Sequence, residues 1–259
     1  MPQFSANLGF LFTELPLPDA IRAAARAGFA AVECHWPYDT PVDSVRAALA
    51  ETGLPMLGLN TRRGDVAAGD NGLAAVPGRE AEARAAIDEA IDYARAIDCG
   101  AVHVMAGFAS GEAAEACFVA NLRYAVERAA PDVTVLIEPL NRFDAPGYFL
   151  STSAQAVALI EAVASDRLKL MFDCYHIQIQ EGDLTRRLDA LRPLIGHIQF
   201  ASVPDRGAPD HGEVNYPWLF RWLDERGFDR PLGAEYKPTE AIPEDVVARW
   251  LAAVAPEAG

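Results

Sequence analysis

Short apolar runs alternate with longer amphipathic stretches along the whole chain. The short runs are QFSANLG (3–9), AAVECH (30–35), PMLGLN (55–60), AVHVMAG (101–107), VTVLIEP (133–139), LKLMFDC (168–174), IGHIQFA (195–201) and PLGAEY (231–236). Most are apolar on both faces, as parallel strands covered by helices must be. Between them, apolar residues recur at helical spacing. PDAIRAAARAG (18–28) opens on Pro18 and Asp19 and closes on Gly28, and PVDSVRAALAETG (41–53) has the same start and stop signals. Helices are also predicted over 78–100, 111–130 and 152–165, the last behind a Thr-Ser cap, and near 183–191, 216–226 and 241–254. Eight strands alternating with eight helices predict an α/β fold, a (β/α)8 TIM barrel, as a single domain over 1–259. A doubly wound open sheet is the runner-up, but the first strand-to-helix turn, NLGFLFTELP, lacks a GxGxxG phosphate loop. The longest irregular segment, 60–80, follows the third strand and is expected to overhang the catalytic face.

Composition narrows the classes of function. The formal net charge is −15, which repels phosphate backbones and argues against nucleic-acid binding. No apolar run is long enough to span a membrane, and the N-terminus MPQFSANLGF carries no secretory signature. A cytoplasmic protein is therefore expected. The four cysteines, Cys34, Cys99, Cys117 and Cys174, fit no zinc spacing and read as reduced thiols. Cys174 has no evident activating base and reads as a core thiol.

The chemistry concentrates at the strand ends. A buried run such as VTVLIEP has no reason of its own to finish on a charge, yet the fifth strand ends at Glu138. The sixth ends at Asp173, the seventh carries Gln199, and the eighth ends at Glu235. In a barrel these four side chains meet at one mouth, where catalytic groups sit. Any one of them alone reads as a cap or a solvated terminus. Three clustered carboxylates repel one another unless protonated or neutralised, and a divalent cation resolves that conflict. An all-oxygen set favours Mg²⁺ or Mn²⁺ over zinc. Other polar residues have two readings each. His176 caps a helix or faces ligand; Arg206 is a surface arginine or an anion clamp. Lys237 is solvated or meets a substrate carboxylate; His103 is a core histidine or a substrate contact; Glu33 lines the pocket or supports the fold. His35, His197 and His211 receive no role.

These residues also carry a family resemblance. ANLGFLFTELP, GLAAVPGRE, IEPLNRFDAPGYFL, FDCYHIQIQEGDL, IGHIQFASVPDR, GEVNYPWLFRWL and GAEYKP resemble the hydroxypyruvate isomerase family, which includes 2-oxo-tetronate isomerases. That family lies within the xylose isomerase-like TIM barrels, and the resemblance covers nearly the whole chain. It implies that Glu138, Asp173, Gln199 and Glu235 bind the metal. It also implies that Glu138 and Glu235 act as proton donor and acceptor, and that His176 and Arg206 touch substrate. Two departures bear on substrate identity: Ala208 stands where an acidic residue is expected after the arginine, and Arg62 and Arg63 stand where relatives have smaller residues.

The expected reaction moves a carbonyl between adjacent carbons of a small hydroxy-oxo acid, with hydroxypyruvate to 2-hydroxy-3-oxopropanoate as reference. A 2-oxo-tetronate isomerase and a ketose 3-epimerase are the alternatives, and a non-catalytic sugar-acid binding protein is a further one. A multi-zinc phosphodiesterase needs more histidines, better placed, than the five present. The sequence leaves the oligomeric state open, a homo-oligomer included.

Overall fold

The computed structural model describes residues 1–254; residues 255–259, which the expected domain includes, lie outside the described residues. Eight parallel strands form one sheet: β1 (Phe4–Asn7), β2 (Ala31–Glu33), β3 (Leu59–Asn60), β4 (Ala101–His103), β5 (Thr134–Ile137), β6 (Leu168–Asp173), β7 (Ile195–Phe200) and β8 (Leu232–Ala234). Their spatial order is β2-β1-β8-β7-β6-β5-β4-β3, with every pairing parallel. The two ends of this order meet through a single bridge, Val32 to Met56, so the sheet is a nearly closed barrel. Pro55 and Gly58 interrupt the run at 55–60 and leave β3 only two residues long.

Among the described residues nine helices surround the sheet: α1 (Leu17–Arg26), α2 (Val42–Thr52), α3 (Glu80–Ala96), α4 (Glu112–Ala129), α5 (Ser153–Val163), α6 (Cys174–Gln180), α7 (Leu184–Leu191), α8 (Tyr216–Glu225) and α9 (Val246–Val254). Local chemistry sets their ends. The Thr152 hydroxyl accepts the Gln155 N–H and starts α5. Helix α6 was not expected. It forms because the Asp173 carboxylate accepts the Tyr175 N–H at 2.8 Å and caps the segment that follows. The last helix begins at Val246 rather than 241, beyond Pro243.

Alternation along the strands sorts the side chains. The outward set includes Phe4 on β1 and Phe200 on β7, which pack edge-on with Phe220 of α8 and Trp250 of α9. The inward set starts with an apolar plug of Ala101, Leu136 and Met171. Above the plug it turns polar: Asn7, Glu33, His103, Glu138, Asp173, Gln199 and Glu235 are all buried. All four cysteines are buried and unbridged. No described helix is long and apolar enough to cross a membrane.

The 60–80 segment is an ordered loop. Asp65 caps a 3-10 turn at Val66–Ala68, and Asp70 receives both bonds from Arg79 at 2.8 Å. Gly72 bridges Ala106, just after β4, at φ +108°. A Cβ there would lie 2.7 Å from the Met105 backbone. Gly72→Ala is therefore expected to cost at least about 1–2 kcal/mol from the left-handed backbone alone. Hydrogen exchange should show the loop loosening while the amides of β5 to β8 stay protected. Unchanged loop protection would refute this anchoring.

Candidate functional site

Strands β5 to β8 deliver their terminal polar residues to one place. Asp173 and Gln199 are direct register partners across β6 and β7. Gln199 pairs with Gly233, so Glu235 projects from the same face two residues on. The Glu235 carboxylate accepts from Asn7 Nδ2 at 2.8 Å, His35 Nε2 at 3.1 Å, Gln199 Nε2 at 3.2 Å and Arg206 at 2.6 Å. Arg206 also lies 3.8 Å from Asp173 and stacks over the rings of Phe10 and Tyr175. It is mostly buried and sits between two carboxylates of the protein.

Positive charge is short of what these acids require. Burial and the charges of Glu235 and Asp173 push the Glu138 carboxyl well above the ordinary range. Burial and Glu235 push Asp173 up to about 7. Burial would raise Glu235 too, but Arg206 and His35 overcome it and bring the group down to about 2. Arg206 itself stays charged: burial disfavours its cation, and Glu235, Asp173 and Glu138 more than compensate. One guanidinium thus faces three buried carboxylates.

His176 lies on α6, where its Nδ1 accepts the Asn141 backbone N–H at 3.1 Å. Burial and Arg206 bring its pKa down to about 3, so the ring is neutral with its proton on Nε2. That N–H faces Asp173 at 3.6 Å and Glu138 at 3.9 Å. Glu138, Asp173 and His176 have atoms within 4.8 Å of one another, a spacing that admits a metal. The tautomer argues against His176 as a ligand, because the nitrogen turned to the carboxylates carries the proton.

The unpaired atoms point to a different donor set. Glu138 Oε1, Asp173 Oδ2 and Gln199 Oε1 are buried without a hydrogen-bond partner. Three orphaned oxygens on adjacent strands, next to Glu235, form a hard-ligand set that fits Mg²⁺ or Mn²⁺. His103, whose ring nitrogens are also unpaired, lies 3.7 Å from Glu138 and is held neutral by burial at about 3.

Lys237 is not brought into the cluster. Its side chain is exposed and has no ion pair among the described residues, while its backbone N–H donates to the Arg206 carbonyl. Arg62 is tied to Glu89 and Asp39. Arg63 stacks on Trp36 at 4.0 Å; Trp36 packs on His35, which bonds Glu235. Sequence reasoning missed Asn7, His35, Asn141 and His197. Asn7 was accessible to it, since the strand-end argument applies to β1 as well. A cleft of about 300 Å³ between α8, α9 and the 208–210 turn contains none of the clustered acids.

Comparison with known proteins identifies the family. Residues 21–254 match the family model of xylose isomerase-like TIM barrels. A 2-oxo-tetronate isomerase of Cupriavidus necator is 45% identical over 92% of this chain and 94% of its own. A hydroxypyruvate isomerase of Escherichia coli is 41% identical over 97% of this chain and 98% of its own. A crystal structure titled AP endonuclease, family 2, from Brucella melitensis superposes with a TM-score of 0.92 at 42% identity, covering 97% of this chain and 99% of that one. The chain belongs to the xylose isomerase-like TIM barrel family, within the group of hydroxypyruvate and 2-oxo-tetronate isomerases.

Proposed function

We propose that this protein is a divalent-metal-dependent isomerase of a small hydroxy-oxo acid, converting hydroxypyruvate to 2-hydroxy-3-oxopropanoate. The observation that carries the proposal is the set of three orphaned buried oxygens on Glu138, Asp173 and Gln199 beside the Glu235 carboxylate. Glu138, Asp173, Gln199 and Glu235 would hold Mg²⁺ or Mn²⁺. When bound, the cation supplies charge that stabilises an enediolate. One glutamate of the pair Glu138 and Glu235 removes the proton from the hydroxyl-bearing carbon, the other delivers a proton to its neighbour, and the hydroxyl proton passes to the former carbonyl oxygen. His176 offers its Nε2–H to a substrate oxygen, and Arg206 receives the substrate carboxylate. His103 lines the pocket beside Glu138. Lys237 lies outside the cluster with its side chain exposed. The high identity to the Cupriavidus necator protein favours a 2-oxo-tetronate as second substrate reading.

The test is an isomerase assay with hydroxypyruvate and 2-oxo-tetronates on protein of measured metal content. Absence of turnover with every one of these on metal-loaded protein would sink the proposal. Chelation is expected to take activity to background, and full activity of metal-free protein would refute the cation's role. Added Mn²⁺ at a hundred times its Kd should stabilise the fold by about 2.7 kcal/mol. That corresponds to a melting-temperature rise of roughly 5–10 °C for a chain of this size.

A further inference from the structure

We propose that Glu33 and His197 are a positioning pair that locks the Gln199 carboxamide with its oxygen toward the bound cation, an inference that rests on the metal-dependent reading above. Glu33 ends β2, and its buried Oε2 accepts from His197 Nε2 at 2.9 Å and from Gln199 Nε2 at 3.1 Å. The other hydrogen of the same amide goes to Glu235 Oε1 at 3.2 Å. Both amide hydrogens are thus committed to carboxylates. An inverted amide would set its oxygen against two carboxylate oxygens and be repelled on both sides. Only one orientation is compatible with these neighbours, and it leaves Oε1 buried and free of protein partners.

His197 precedes Gln199 by two residues on β7 and shares its face. Its N–H holds the Glu33 carboxylate in line with the amide, while the Ser5 hydroxyl reaches the other carboxylate oxygen at 3.4 Å. The space is built around Gly233. A Cβ there would meet Glu33 Oε1 and lie 2.8 Å from both Gln199 Cγ and His197 Nε2. Four strands therefore contribute to orienting one neutral ligand: β1 through Ser5, β2 through Glu33, β7 through His197, and β8 through Gly233 and the Glu235 that follows it.

The test is a Mn²⁺ titration followed by loss of the free-ion EPR signal, with melting curves of the metal-free proteins. Glu33→Gln keeps the shape but offers Gln199 an NH₂ group, which removes one of the two repulsions that oppose the inverted amide. Its Kd for Mn²⁺ is expected to rise roughly 10- to 100-fold, as for other outer partners of metal ligands, with the metal-free melting temperature unchanged. His197→Asn is too short to hold Glu33 and should give a smaller rise in Kd. Where Glu33→Gln does not fold, His197→Asn decides alone. A wild-type Kd in the folded variants, with or without a lower melting temperature, overturns the positioning role and leaves the metal reading standing. Failure of the wild-type protein to bind Mn²⁺ overturns both.

Discussion

Replacing Glu235 by Gln is expected to lower isomerase turnover by roughly 10²–10⁴-fold, the contribution of a positioned proton-transfer group. The substitution preserves volume and one acceptor oxygen while removing the charge and the basicity. Four side chains converge on that carboxylate, from Asn7, His35, Gln199 and Arg206, so the variant must be shown to fold. A far-UV spectrum like that of the wild type, with a cooperative melt, meets that requirement. Glu138→Gln should cause a loss of the same order, because a proton relayed across a planar intermediate needs a group at each end. Turnover of the Glu235 variant within about tenfold of wild type would end the two-glutamate scheme.

Arg206→Met is the second large effect. Methionine keeps contact with Phe10 and Tyr175 but removes the cation that faces Glu235 and Asp173. Breaking a buried charge pair from one side costs about 3–5 kcal/mol. The metal-free variant should therefore melt roughly 5–20 °C below wild type. Without Arg206 the Glu138 and Asp173 carboxyls rise further above their unfolded values near 4, and Glu235 loses the cation that holds it below. Stability is then fully present below those unfolded values and is lost as pH climbs through the folded ones. The deficit should accordingly be larger at pH 8 than at pH 5. Mn²⁺ should recover much of it, since a dication neutralises the same acids. A metal-free melt equal to wild type at pH 8 would show that Arg206 carries no such burden.

The barrel was legible because both-face apolar runs and helical spacing each leave a period in the sequence. The boundaries were less so. The apolar character of AVHVMAG and PLGAEY runs on past the last ladder bond, because covering loops bury those residues too, so β4 and β8 end earlier than their patterns suggest. Helix α6 was hidden because Asp173 serves two ends at once. One oxygen caps the helix and the other faces the cluster, and only the second use was considered. The clustered acids were legible from a single rule about strand ends. Their partners were not: Asn7, His35 and Asn141 matter through contacts between residues 35 to 228 positions apart. Such pairings leave no local pattern. Lys237 shows the opposite limit, since adjacency to Glu235 in sequence does not bring its side chain to the same place.

The 60–80 loop holds to the barrel through its own base. Gly72 meets Ala106, Asp70 meets Arg79, and the Ala74 carbonyl takes a bond from Asn121 of α4. Among the described residues none of its hydrogen bonds runs to β5, β6, β7 or β8. The loop is in that sense an exchangeable cassette. Arg62, held by Glu89 and Asp39, can change without touching Glu235, whereas Arg63 connects to it through Trp36 and His35. A laboratory graft confined to 65–71 is therefore expected to leave the hydrogen bonds of Gln199 and Glu235 in place.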